Sequence, residues 1–257
     1  SMTMNAIRKL SRKLDEKEDR ISDSDHFYEA PPAGGTVDHF EAMTTLGALA
    51  TETKKAAIGV MVLYVGYRNP ASIAKSATTL DHISNGRFEL GLGAGWHIEE
   101  ATAFGYDFPP IGTRLDMLEE ATTIIRGLLT QDRTTFAGRH YSVNNASNLP
   151  APVQKHLPVW IGGLGEKRTL RIVAEQADGW NAAYISNEDF CHLNGVLDEW
   201  CEKADRDPLS LDRSVHLTFN LGTNQASVDK QRRNLREAWG PAATRIEGGA
   251  LLCTPSE

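Results

Sequence analysis

Apolar positions along the chain fall into two rhythms. From Asn69 the spacing Ile73, Ala77 and Leu80 marks one buried face of a helix, with Asn69 as N-cap and Pro70 in the first turn. Asn85-Gly86 ends that helix, after which Phe88, Leu90 and Leu92 alternate with Glu89, Gly91 and Gly93 as a strand does. The same alternation of helix and strand runs through most of the chain. Asp38 to Thr51 is predicted as a helix with Met43, Leu46, Leu49 and Ala50 inward, and Ile58 to Tyr64 as an apolar strand. A long helix capped by Thr113 carries Leu115, Leu118, Ile125, Leu128 and Leu129, and residues 134 to 143 suggest a hairpin around Ala137-Gly138. Val159 to Ile161 is a short strand entering Gly162-Gly163-Leu164-Gly165, followed by a helix from Glu166 to Ala177. A strand over 178 to 183, a helix over 188 to 203, a strand over 215 to 221 and a polar helix over 226 to 239 complete the pattern. Residues 5 to 18 read as an exposed helix, and the segment 21 to 27 is too polar to be assigned as a buried strand from its own composition.

Strands alternating with helices imply parallel strands with helices outside, as an open doubly wound sheet or a closed barrel. Glycine or polar residues follow the strands at His26, Tyr64, Gly93, Gly162 and Asn181, so ligand-facing groups come from most strand ends. That distribution favours a TIM (β/α)8-type barrel over an open sheet with one switch point. One domain over residues 1–257 is expected, with an insertion over roughly 95–157.

Charge and cysteine content narrow the partners. A formal charge of −7 argues against nucleic acid or an anionic membrane, leaving a small-molecule substrate. Cys191, Cys201 and Cys253 make no even framework and no C-x-x-C pair, and the N-terminus has no apolar signal core, so a reducing cytoplasm is expected. No metal-ligand spacing stands out.

Two places carry chemistry. Gly162, Gly163 and Gly165 precede a helix, where free backbone N–H groups and the helix dipole suit an anion, with Lys167 and Arg168 close behind. His26 follows Asp25 at a strand exit, where the carboxylate is placed to fix its tautomer. The GLGAG run lacks the spacing of a dinucleotide-binding turn; its glycines mark close backbone approach by a ligand or a neighbouring strand.

In the motifs SDHF (24 to 27), YRNPA (67 to 71), TLDHISNGRFELGLGAGW (79 to 96), FPPIGTRLDMLEEA (108 to 121), TFAGRHY (135 to 141), PVWIGGLGEKRTLRI (158 to 172) and ADGWN (177 to 181), the chain resembles the bacterial luciferase-like monooxygenase superfamily, especially its branch that uses the deazaflavin coenzyme F420. The resemblance spans about residues 24 to 220. It implies a (β/α)8 barrel with an insertion after the fourth strand, binding F420 or FMN at the C-terminal face, and commonly a homodimer. It places the cofactor phosphate at the glycine loop and His26 over the reactive ring. It further puts Asn69, Gly93, Trp96 and His97 near the cofactor, and the Val60-Met61 neighbourhood where relatives carry a bulge or non-prolyl cis peptide. Glu99 and Glu100 are read as helix N-terminal charges.

Two departures qualify the expectation. Relatives begin with an apolar strand and end with an eighth strand and helix, so a barrel lacking its first and last strands is expected, through truncation of the sequence, irregular closure or completion by another subunit. The leading function is hydride transfer between F420 and a small organic substrate. The alternatives are FMN-dependent monooxygenation and a non-catalytic cofactor-binding descendant.

Overall fold

A computed structural model describes residues 13, 20–28 and 38–254 of the chain. The helix expected over 5 to 18 lies outside the described residues, Lys13 apart.

Six strands form one all-parallel sheet in the order β1 (Arg20–Asp23), β2 (Ala57–Tyr64), β3 (Phe88–Gly93), β6 (Val159–Gly162), β7 (Gly179–Ala183) and β8 (Asp212–His216). Each crossover carries a helix. α1 (Ala42–Glu52), α2 (Pro70–Ser84), α4 (Ile111–Thr130), α5 (Thr169–Gln176) and α6 (Asn187–Lys203) supply apolar faces to a single large core with Leu46, Ile73, Leu118, Ile125, Val173 and Leu197 among its buried members. Parallel strands covered by helices are apolar on both faces, which is why β2 reads as a near-continuous hydrophobic run. The capping expected at Asn69 and Asn85 is present: the Asn69 side chain accepts from Ala71 N at 2.9 Å, and Asn85 closes α2 in the left-handed region at φ 58°.

The sheet is curled. Five steps of about 4.8 Å would hold β1 and β8 about 24 Å apart in a flat sheet, yet Arg20 Nη2 of β1 lies 3.7 Å from Asp212 of β8. Arg20 also reaches Glu89 at 3.3 Å and stands over Trp160, so it spans the hollow the curl encloses. No ladder joins β1 to β8 among the described residues, and the barrel is open along that seam.

Several boundaries differ from the sequence reading. The polar segment before Ser24 does form a strand, β1, as an edge in which Ile21 alone is buried. An edge strand needs only one inward side chain, so its composition is silent. The long helix α4 begins at Ile111 behind Pro110, two residues before Thr113. α5 begins at Thr169, because 166–168 form a turn and leave the glycine loop longer. Beyond β8, Leu217 interrupts the ladder, and β9 (Thr218–Leu221) then pairs in parallel with β10 (Ala250–Cys253). A short terminal strand therefore occupies the place where none was expected, joined through α7 (Gln225–Trp239) and α8 (Ala243–Gly248).

Within the 95–157 excursion, α3 (Ile98–Ala103) is followed by α4 and an antiparallel hairpin of β4 (Thr134–Ala137) and β5 (Ser142–Ala146). Glu120 of α4 organises that hairpin. Its carboxylate accepts from the backbone N–H groups of Arg139, His140 and Tyr141 at 2.7, 2.8 and 2.9 Å. Partial burial raises its affinity for a proton, and these hydrogen bonds outweigh that and hold the carboxyl below its ordinary value. Its contribution is thus complete above the ordinary carboxylate range and is lost as pH falls through the lowered value. Glu120→Ala is expected to cost about 1–2 kcal/mol at pH 7 and much less at pH 3, read from urea unfolding at both values. A cost unchanged at pH 3 would contradict this account.

Candidate functional site

The C-terminal ends of β1, β2, β3, β6 and β7 open into one cavity of about 660 Å³. Its floor is set by the way β2 meets its neighbours. The register of β2 on β3 shifts between Val60 and Leu63, and the Met61-Val62 peptide is cis. Glycines accommodate this bulge: a Cβ on Gly91 would lie 2.2 Å from the Val60 carbonyl oxygen, and one on Gly93 would lie 2.6 Å from a Val62 methyl. The close approach foreseen at these glycines is therefore by strand β2. Met61, Val62 and Gly93 line the cavity, whereas Val60 is wholly buried in the core and Asn69 is committed to capping α2.

His26 reaches the cavity just past β1. Its Nδ1 lies 2.7 Å from Oε2 of Glu100, whose side chain is 1% exposed. Glu100 Oε1 accepts from the backbone N–H of Phe27 and, at 3.4 Å, from that of Tyr28, while the Tyr67 hydroxyl donates to Oε2 at 3.4 Å. Burial alone would raise the Glu100 carboxyl; the bond to His26 and those from the two amides hold it below its ordinary value. The Tyr67 phenol is pushed far above its usual range by burial and by the neighbouring Glu100, so it stays a donor. Glu100 thus sets the imidazole's orientation.

Asp25 does something else. Its oxygens both lie 2.8 Å from Arg68 Nη1, and Oδ2 accepts from Tyr64 N at 3.0 Å. Arg68 Nη2 also holds Glu41, which caps α1. The expected Asp25–His26 pairing is replaced by His26–Glu100, because Asp25 is drawn to the guanidinium that ties β1, α1 and β2 together. Glu99 keeps its reading as a helix N-terminal charge with its side chain 74% exposed.

The remaining wall comes from the exit of β3 and from α7. Trp96 packs edge-on to His26 with ring centroids 5.4 Å apart, and stacks at 6.0 Å on Trp239. His97 lines the cavity and caps α3 through Nδ1, which accepts from Glu100 N at 3.2 Å. Trp239 and His39 were not singled out in the sequence, and neither position carries a local signal.

At the far end, Gly162, Gly163, Leu164, Gly165 and Thr169 line the same cavity. Gly163 sits at φ 138°, where a Cβ would meet Thr169 at 3.0 Å. The N-terminus of α5 has no side-chain cap; of the nearby amides, Leu170 N donates to the Gly165 carbonyl at 3.0 Å and Gly163 N to that of Asn181 at 3.2 Å. Lys167 and Arg168 do not line the cavity. Arg168 turns away to Asp116 at 2.7 Å and to the Gly112 carbonyl, pulled by the carboxylates of α4. The structure thus brings His26, Asp25, Met61, Gly93, Trp96, Gly162, Gly163 and Gly165 together and leaves Val60, Asn69, Lys167 and Arg168 outside.

A family model for luciferase-like monooxygenases matches residues 24–250. The chain belongs to that family. An uncharacterized protein of Mycobacterium tuberculosis is 35% identical over 136 residues, 53% of this chain and 47% of its own length, so the chain spans about half of that relative. An F420-dependent glucose-6-phosphate dehydrogenase of Microbacterium testaceum is 36% identical over 242 residues, covering 93% of this chain and 69% of its own. Among solved structures, an F420-dependent secondary alcohol dehydrogenase with an F420-acetone adduct superposes with a TM-score of 0.84 at 20% identity, covering 98% of this chain and 82% of that one. A riboflavin lyase with modified FMN superposes at 0.75 and 14% identity, covering 94% and 61%. These structures share the luciferase-like barrel with the present fold. Among the described residues no helix is long and apolar enough to cross a membrane.

Proposed function

We propose that the chain is an oxidoreductase that binds coenzyme F420 across this cavity, its phosphate at the α5 glycine loop and its ring beside His26. The observation that carries the reading is that one cavity holds both an uncapped helix N-terminus behind glycines and a histidine oriented by a buried carboxylate. Two further features suit a bound group: Tyr64 Oη and His39 Nε2 are buried, belong to residues that line the cavity and have no hydrogen-bond partner among the described residues. Buried polar atoms of this kind ordinarily find one. When bound, F420 supplies hydride exchange with a substrate carbon.

The protein's part follows from the geometry. His26 takes or returns the proton of the substrate oxygen, with Glu100 as the positioning residue that stabilises the charged imidazole. Trp96 and Trp239 stack on one another along the cavity wall, and the bulged β2 with Met61 and Val62 would lie behind the ring. Asp25, paired with Arg68, holds the strand exit that carries His26.

Anaerobic fluorescence titration with F420 and with FMN tests the cofactor, followed by oxygen-uptake measurement for whichever binds. Quenching of F420 with no oxygen consumption supports the reading. Tight FMN binding with oxygen uptake favours the monooxygenase alternative, and binding without turnover under either cofactor favours a non-catalytic descendant. Gly163→Ala is expected to weaken the cofactor's Kd about tenfold, since a side chain there is strained and intrudes on the anion cradle. An unchanged Kd would remove the loop from the site.

A further inference from the structure

We propose that the substrate of this cavity is an uncharged alcohol or carbonyl compound with an apolar body, and that the site rejects phosphorylated sugars. The inference rests on the F420 reading above and concerns the His26 end of the same cavity.

No lysine or arginine lines the cavity among the described residues. Four arginines on the surrounding elements are engaged elsewhere, and Lys167, beside the α5 loop, does not line the cavity. Arg68 is bound to Asp25 and Glu41, and Arg114 donates to the carbonyls of Pro109, Ala94 and Gly95. Arg245 donates to the carbonyls of Ala183 and Tyr184, and Arg168 is held by Asp116. The segment 29–37, which connects β1 to α1, contains no lysine or arginine in its sequence.

Negative charge is present instead. Of the two carboxylates that line the cavity, Asp25 is paired with Arg68, and Glu100 is the one that touches His26. A phosphate monoester carries about −1.5 to −2 at neutral pH, so bringing one near Glu100 sets like charges together in a partly desolvated space that no lysine or arginine among the described residues lines. The anion cradle at α5 serves the cofactor in the reading above.

What the wall does offer is apolar surface and neutral hydrogen-bonding groups. Trp96, Trp239, Ile111 and Leu115 present ring and aliphatic faces. Tyr184 packs on Trp239 with centroids 5.5 Å apart and on His216 at 4.8 Å, extending the aromatic wall. The unpartnered His39 Nε2 matches a hydroxyl or carbonyl oxygen. Recognition of this kind, broad apolar contact with few polar groups, suits a neutral ligand.

The test uses the full chain loaded with F420, loading being verified first by fluorescence titration. Failure to load counts against the cofactor reading alone. On the loaded protein, thermal shift is measured with cyclohexanol and benzyl alcohol, with cyclohexyl phosphate, and with glucose 6-phosphate. F420 reduction is followed with the same compounds. The expected result is a concentration-dependent shift with the neutral alcohols and a response to the phosphate esters at least about 100-fold weaker in apparent affinity. Trp239→Ala is expected to raise the half-saturating concentration of the alcohols about tenfold. A phosphate ester that binds or turns over as well as its neutral counterpart overturns the proposal, as does the absence of any shift with the neutral compounds.

Discussion

Replacing His26 with alanine is expected to lower kcat by about 10²–10⁴-fold, with the Kd for F420 changed by less than about threefold. The expectation separates two ends of one cavity. The imidazole lies at the exit of β1, and the anion cradle lies at the start of α5, so removing the first leaves the second intact. Glu100→Gln is expected to lower kcat about 10²-fold, because the amide keeps the size of the side chain but removes the charge opposite Nδ1. The decisive measurement is the double variant. If Glu100 acts through His26, Glu100→Gln in the His26→Ala background costs little further, since groups that work as one unit are not additive. Multiplicative losses would show that Glu100 acts independently, for instance by holding the Phe27 and Tyr28 amides. Full turnover by His26→Ala would leave the cavity without its proton-handling group.

The identity of that pair shows where sequence reading stops. Helix and strand positions were legible because burial imposes periodicity, and α2 was legible to its caps because Asn69-Pro70 and Asn85-Gly86 have local conformational reasons for their places. The strand at Arg20–Asp23 was not legible, since an edge with one inward residue leaves no periodic signal. Glu99 and Glu100 are indistinguishable by type, and only the turn of α3 exposes one and buries the other against His26. A partial signal existed: His97, Glu100 and Ala101 share the helical spacing of one face, and a glutamate on the face that carries a small buried alanine is a candidate for burial. Asp25 misled because adjacency in sequence is a poor guide to adjacency at a strand exit, where successive side chains diverge. Arg168 misled for a related reason: its helix partner α4 arrives from more than 40 residues earlier with Asp116, and no local pattern announces that neighbour.

Arg68→Leu is expected to be the most destabilising of the substitutions considered. The Asp25 side chain is 3% exposed, and Arg68 supplies both of its ionic contacts. Burial already pushes the Asp25 carboxyl above its ordinary value, against the opposing pull of Arg68. Without the guanidinium, the Tyr64 amide remains as its hydrogen-bond donor, and the buried carboxylate is uncompensated. Breaking a buried pair from one side costs about 3–5 kcal/mol. The sign of the pH dependence follows. With Arg68 gone, the folded-state value of Asp25 rises further above its unfolded value, so the folded variant binds the proton more tightly than the unfolded chain. The variant's stability therefore falls as pH rises through that window, and the cost of Arg68→Leu is largest at neutral pH and shrinks on acidification toward pH about 4. Urea unfolding of the wild type, Arg68→Leu and Arg68→Leu with Asp25→Asn at pH 7 and pH 4.5 measures it. The added Asp25→Asn is expected to recover most of the loss at pH 7, because the asparagine carries no charge to strand and still accepts from Tyr64 N. A double variant as unstable as the single would show that Arg68 matters through its grip on Glu41 and α1, and not through the carboxylate beneath the site.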